Sequence, residues 1–330
     1  MSNVEMTILG KSGIEVSKVC LGTWAIGGWM WGGSDEKESV ESIRKAINNG
    51  INFIDTAPVY GFGESERVVG IAVKDHVDRS KVVLATKTAL EWTDDGVFRN
   101  STPERIRKEV EDSLRRLQTD YIDLYQIHWP DPLVPFEETA ETLDKLMQEG
   151  KIRAAGVSNY SPEQMEAFTK GVPITSVQPP YNLFERGIED DVLPYAKNHG
   201  ITVLAYSSIC RGMLSGKMSE GRNFEGDDLR KVDPKFQMPR FRQYLDAVDE
   251  LDKLAREHYD KTVLELAVRW VIEQGAIPLW GARKPHQLDN IQEVFGWSIS
   301  PQDMKEIDNI IERNVKDPVG PEFMAPPSRK

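Results

Sequence analysis

A chain of 330 residues with 39% hydrophobic content is long enough for one large α/β barrel or two average domains. Its 53 acidic and 41 basic side chains give a formal charge of −12, which argues against a nucleic-acid or anionic-membrane binder but leaves room for a local basic pocket. Only two cysteines occur, Cys20 and Cys210, each at the end of an apolar run, so they read as buried or near-site thiols in a reducing cytoplasm rather than as a disulfide scaffold. No apolar run approaches the ~18 residues of a membrane span, and Met1–Gly10 lacks a signal-peptide core.

Taken in order, MTILGKSGIEVS reads as a hairpin within residues 1–17, placed to close one end of the fold. KVCLGTW is the first strand of a repeating series, followed by the helix DEKESVESIRKAINNG, which Gly50 closes. INFIDT then precedes ESERVVGIAVK, and KVVLATKT precedes TPERIRKEVEDSLRRL, with Thr102 as N-cap and Pro103 at the first helical position. YIDLYQIHW, IRAAGVSNY, ITSVQPPYN and ITVLAYSS continue as strands four to seven. Each of strands four to six is followed by a helical pattern: FEETAETLDKLMQEG, PEQMEAFTKG and DVLPYAKNHG.

The rhythm breaks at 209–240, a long Gly- and charge-rich insertion of the kind that in compact domains usually has a function. Helices QYLDAVDELDKLAREHY and TVLELAVRWVIEQG follow, then the eighth strand AIPLWGA, the helices HQLDNIQEVF and PQDMKEIDNIIERN, and a flexible tail over 317–330. Eight strand–helix units without a linker predict one α/β domain over 1–330, a (β/α)8 TIM barrel.

The stretch YGFGESE imitates a phosphate-binding glycine loop. Its third-glycine position is Glu66, however, and with Glu64 it puts two carboxylates in the first helical turn, where they would repel a phosphate. In a barrel, chemistry sits where strands end. Those ends carry Asp55 after the second strand, Tyr60 in the following loop, Lys87 after the third and His128 after the fourth. Singly, each has a structural reading: a helix cap, a packed ring, a surface charge, a core imidazole. Together they make a phenol whose acidity a nearby ammonium raises, a carboxylate that holds the ammonium, and an imidazole beside a carbonyl oxygen. No H-E-x-x-H or paired-Cys spacing occurs, so no metal is expected.

The motifs FIDTAPVYGFGESE, ATKT, LYQIHWPD, GVSNY and SVQPPYN, in this order, resemble those of the aldo-keto reductases over nearly the whole chain. YSSICRGMLSGK and GARKPHQL look most like the bacterial branch related to the inositol-utilisation and general stress reductases. The resemblance implies a catalytic tetrad of Asp55, Tyr60, Lys87 and His128, with Tyr60 as general acid in carbonyl reduction and hydride coming from a nicotinamide. It further implies cofactor contacts from Thr23, Trp24, Ser158, Asn159, Gln178 and Tyr206. The segment Ser207, Ser208, Ile209, Cys210 and Arg211, with Lys217, would line the pyrophosphate.

Gly281, Ala282, Arg283 and Gln287 follow the eighth strand, with Arg283 suited to a 2′-phosphate and hence to NADP(H). Many relatives place an Asn four residues after this Gln; here that slot is Ile291, and Asn290 is the displaced candidate for adenine contact. Trp24, Trp31, Trp92 and Trp129, with Tyr60 and His128, are the expected pocket for a small or medium carbonyl or alcohol substrate. A monomer is the default oligomeric state. Two rival functions fit less of the chain: a cofactor-binding regulatory or redox-sensing protein on the same fold, and a Schiff-base lyase using Lys87.

Overall fold

The computed structural model describes residues 4–329. Two short strands come first, β1 (Met6–Ile8) and β2 (Glu15–Ser17), paired antiparallel with Met6 opposite Ser17. The series then runs β3 (Cys20–Gly22), α1 (Glu36–Asn48), β4 (Phe53–Asp55), α2 (Glu64–Val73), β5 (Val83–Thr88), β6 (Leu90–Thr93), β7 (Gly96–Arg99), α3 (Pro103–Leu117) and β8 (Ile122–Ile127). It continues as α4 (Phe136–Gln148), β9 (Ile152–Ser158), α5 (Pro162–Phe168), β10 (Ile174–Gln178), α6 (Val192–His199) and β11 (Thr202–Ala205). The chain ends through α7 (Arg240–Tyr259), α8 (Val263–Glu273), β12 (Ile277–Gly281) and α9 (Pro301–Asn314).

Strands β3, β4, β5, β8, β9, β10, β11 and β12 close into one parallel barrel, with β12 returning to β3 through Leu279 opposite Cys20. Local signals set the helix starts. Thr102 caps α3 ahead of Pro103, and Ser161 makes a reciprocal capping box with Gln164 at α5.

Inside the barrel, Cys20, Phe53, Val83, Ala85, Leu124, Ala154, Leu204 and Leu279 form one apolar cluster. Leu9, Ile14 and Val16 of the N-terminal hairpin join that cluster and close the barrel floor; residues 1–3 of the expected hairpin lie outside the described residues. Strand side chains alternate with period two, so continuing toward the C-terminal ends replaces Phe53 by Asp55, Ala85 by Lys87 and Leu124 by Gln126. The top layer of the core is therefore polar while the layers below it are not.

Three expectations need correction. The loop after β5 contains an antiparallel hairpin, β6–β7, which the sequence reading passed over. HQLDNIQEVF is not a helix but two 3-10 turns, Pro285–Leu288 and Ile291–Val294. The tail does not hang free: Arg99 N donates to Pro327 O (2.9 Å), Arg99 Nε to Pro326 O (2.8 Å), and Arg329 reaches Asp131 (2.6 Å) and Asn100 (3.0 Å). Glu66 stands in the first turn of α2 as expected, with its carboxylate turned inward. It is buried, accepts from Thr86 and pairs with Arg116 at 2.6 Å, tying α2 to α3.

Candidate active site

Tyr60 reaches the barrel mouth because two loops pack backbone to backbone. A Cβ at Gly27 would lie 2.4 Å from the Tyr60 carbonyl, and one at Gly61 (φ +67°) would lie 2.1 Å from Gly27 O. The glycines of YGFG are thus spent on this contact and on the left-handed residue Gly63 that opens α2, not on a phosphate.

Lys87, fully buried, has three N–H donors, and each has an acceptor: Asp55 Oδ2 at 2.6 Å, Thr56 O at 2.9 Å and Tyr60 Oη at 3.3 Å. An ammonium can only donate. Tyr60 oxygen therefore accepts from it and keeps its own hydrogen for another acceptor. Burial would draw the Lys87 pKa down, but Asp55 and Tyr60 outweigh it and the net direction is up. Tyr60 corrects the sequence expectation. Burial is the strongest influence on its phenol and, despite the opposing pull of Lys87, leaves the pKa above its usual value, so the group holds its proton at neutral pH. His128, edge-on to the Tyr60 ring at 5.8 Å, is driven well below its usual pKa by burial and by Lys87 and stays neutral.

These groups, apart from buried Lys87, face a cavity of about 720 Å³ that runs across the mouth from β12 to the β6–β7 hairpin. Of the expected residues, Thr23, Trp24, Trp31, Asp55, Tyr60, His128, Trp129, Ser158, Asn159, Gln178, Tyr206, Ser207, Ile209, Arg211, Gly281, Ala282, Arg283 and Gln287 line it. The amide groups interlock: Asn159 Nδ2 donates to His128 O (3.1 Å) and to Ser158 Oγ (3.0 Å), while its Oδ1 accepts from Tyr206 Oη (3.0 Å).

Others stand elsewhere. Trp92 lies off the cavity, packed between Phe62 and Arg105. Ser208 Oγ is used within the barrel, donating to Ala205 O and accepting from Leu279 N. Cys210 is fully buried, and its N–H, like that of Gly212, is taken by a carbonyl of the same loop. The Arg211 guanidinium is neutralised by Glu185 (2.7 Å) and Asp233 (2.5 Å) and so brings no free charge. Lys217 is exposed and outside the lining. Asn290 is also outside it, donating instead to Glu265 (3.3 Å).

The sequence reading missed a basic rim. Arg230 and Arg222 line the cavity with Arg283. Burial, and then the neighbouring Arg230 charge, draw the Arg283 pKa below its usual value. Arg230 stacks between Trp31 (5.1 Å) and Phe224 (4.4 Å) and pairs with Asp228 (2.6 Å). The insertion reaches back over the mouth: Asp227 accepts from Met30 N (2.7 Å) and Gly32 N (3.0 Å), and Leu229 N donates to Met30 O (3.0 Å). Arg283 joins the same strap by donating to Trp31 O at 2.9 Å and to Gly33 O.

At this end the indole N–H of Trp31 is buried without a partner. An orphaned donor beside crowded guanidinium groups fits a polyanionic dinucleotide. At the other end Trp29, Phe62, Leu90, Val97, Trp129 and Met324 make an apolar lobe. Among the described residues no group of three or more His, Cys, Asp or Glu could hold a metal ion, and no helix is long and apolar enough to cross a membrane.

Comparison with known proteins agrees with this arrangement. A model of the aldo/keto reductase family matches residues 18–312. The chain is 60% identical over 329 residues to the aldo-keto reductase YhdN of Bacillus subtilis (strain 168), covering 99% of each chain. It is 34% identical to the NADH-specific methylglyoxal reductase of Escherichia coli (strain K12), covering 92% of this chain and 98% of that one. Among solved structures, the glycerol dehydrogenase AKR11B4 from Gluconobacter oxydans is similar with a TM-score of 0.88 and 53% identity, covering 98% of this chain and 100% of that one. The aldo-keto reductase AKR11C1 from Bacillus halodurans, in its holo form, is similar with a TM-score of 0.75 and 29% identity, over 98% and 100% of the two chains. This chain belongs to the aldo/keto reductase family, oxidoreductases acting on carbonyls with nicotinamide cofactors.

Proposed function

We propose that this chain reduces aldehydes or ketones to alcohols with NADPH, and that Tyr60 supplies the proton. The observation that carries the reading is the hydrogen-bond set of Lys87: with its three donors committed to Asp55, Thr56 and Tyr60, the phenol must offer its hydrogen to something in the cavity. A nicotinamide held beside Ser158, Asn159, Gln178 and Tyr206 would supply a hydride. Tyr60 hands its proton to the carbonyl oxygen, and Lys87 stabilises the phenolate left behind. Neutral His128 orients that oxygen, and Trp24, stacked 5.9 Å from Tyr60, walls the reacting site from water.

Arg283 and Arg222 favour the cofactor with the extra phosphate, while Arg230, paired with Asp228, contributes as a stacked wall. One relative in this family is named for NADH. The apolar lobe suits an uncharged carbonyl of small or medium size. The same commitment of Lys87 speaks against a Schiff-base lyase, which needs a free neutral amine.

Tyr60→Phe tests the acid role. We expect turnover to fall by about 10²–10⁴-fold while NADPH affinity, read by quenching of tryptophan fluorescence, stays within about twofold of the parent protein. Undiminished turnover in that variant overturns the reading.

A further inference from the structure

The mechanism gives Asp55 one task, holding Lys87 through Oδ2. Its other oxygen is engaged too. Oδ1 accepts from Gln178 Nε2 at 2.9 Å and from Gln126 Nε2 at 3.2 Å, and Gln126 Oε1 accepts a second hydrogen from Gln178 Nε2 at 3.3 Å. All three side chains are buried. Gln126 is at hand because of register: on β8 it stands opposite Lys87 of β5 on one side and Gly156 of β9 on the other. The glycine makes the room, since a Cβ there would press on Gln126 Cγ at 3.1 Å and Ser176 Oγ at 2.4 Å.

The chemistry of this triangle has one solution. An ionised carboxylate is acceptor-only, so both amides must turn their nitrogen toward it. Gln178 then spends one N–H on Asp55 and the other on Gln126, and its carbonyl is all that remains for the cavity it lines. Without Gln126 the Gln178 amide would have a spare hydrogen and freedom to swing.

We infer that Gln126 is a positioning residue that, with Asp55, locks Gln178 so that only an acceptor faces the cavity, making the site selective for a ring amide that donates N–H. The inference rests on the dinucleotide reading above and adds to it a link between the proton-transfer carboxylate and the polarity of the cofactor's amide site. No residue of that link titrates in the argument; it is a matter of donors and acceptors.

Binding of oxidised dinucleotides, followed by tryptophan fluorescence without substrate, tests it. The probes are NADP⁺, its thionicotinamide analogue, which keeps the amide N–H, and its 3-acetylpyridine analogue, which has a methyl group there. The unaltered chain is expected to bind the acetylpyridine analogue about tenfold more weakly than NADP⁺ and the thionicotinamide analogue within about threefold of it. In Gln126→Met, similar in length and without hydrogen-bonding groups, NADP⁺ weakens about tenfold while the acetylpyridine analogue does not, so the discrimination disappears. Equal weakening of both probes marks a packing role and overturns the inference. So does an unaltered chain that binds acetylpyridine as tightly as NADP⁺, a measurement that needs no variant to fold. If the unaltered chain prefers NAD⁺, the NAD⁺ pair gives the same readout. If it binds no nicotinamide dinucleotide at all, the proposed function fails and takes this inference with it.

Discussion

Replacing Lys87 by Met keeps the length of the side chain and removes its charge. The ammonium stands 3.3 Å from Tyr60 Oη. At that separation, with an effective dielectric constant of ~20, its attraction for a phenolate amounts to about 5 kcal/mol. Asp55 acts on the phenol in the opposite sense, so losing Lys87 raises the Tyr60 pKa by less than that attraction alone would. The sign follows. Alcohol oxidation needs the phenolate, climbs with pH up to the phenol pKa, and in Lys87→Met should climb at a higher pH. At neutral pH both directions should fall by about 10–1,000-fold, together, because the overall equilibrium is unchanged.

The assay is kcat for oxidation against pH at saturating dinucleotide. A rise left in place, or moved to lower pH, refutes the electrostatic argument. Stability supplies a control. The single variant leaves Asp55 buried without a counter-charge, at a cost of about 3–5 kcal/mol. The double variant Asp55→Asn/Lys87→Met removes both charges and should recover most of the loss in a thermal melt, while remaining inactive.

Two further outcomes are expected. Arg283→Ala should weaken NADPH by about tenfold or more and NADH far less, as read by fluorescence titration; equal losses would mean that its ties to Trp31 O and Gly33 O matter more than its charge. Gly61→Ala forces a methyl group against Gly27 O and into a left-handed conformation, so it should lower stability by about 1–3 kcal/mol and reduce kcat by displacing Tyr60; an unchanged melting temperature would show that the loops separate freely.

The barrel was legible because its signals are local and repeated: apolar runs, capped helices and glycine stops recur with one period. The positions of Asp55, Lys87 and His128 were legible for a related reason, since each lies where a strand ends and the register of neighbouring parallel strands brings those ends together, while Tyr60 follows in the loop after β4. Gln126 escaped notice inside an apolar strand, although a glutamine two residues after inward-facing Leu124 is itself a sign of buried polar work. Arg230, Arg222 and the docked tail were out of reach for a different reason. They belong to segments far along the chain, and nothing in their own neighbourhood says which part of the mouth they will meet. The phenol's upward pKa was also invisible, because burial, its largest cause, is set by packing rather than by the neighbouring lysine.

The last residues of the described chain have a practical bearing. Phe323, Met324 and Pro326 border the apolar lobe, and Arg329 anchors the segment that carries them against Asn100 and Asp131. A purification handle fused at the carboxyl end would emerge beside the entrance through which a carbonyl compound must pass, whereas one at the amino end would emerge near the opposite, closed face of the barrel. Substrate preferences are therefore best compared between preparations carrying the handle at either end.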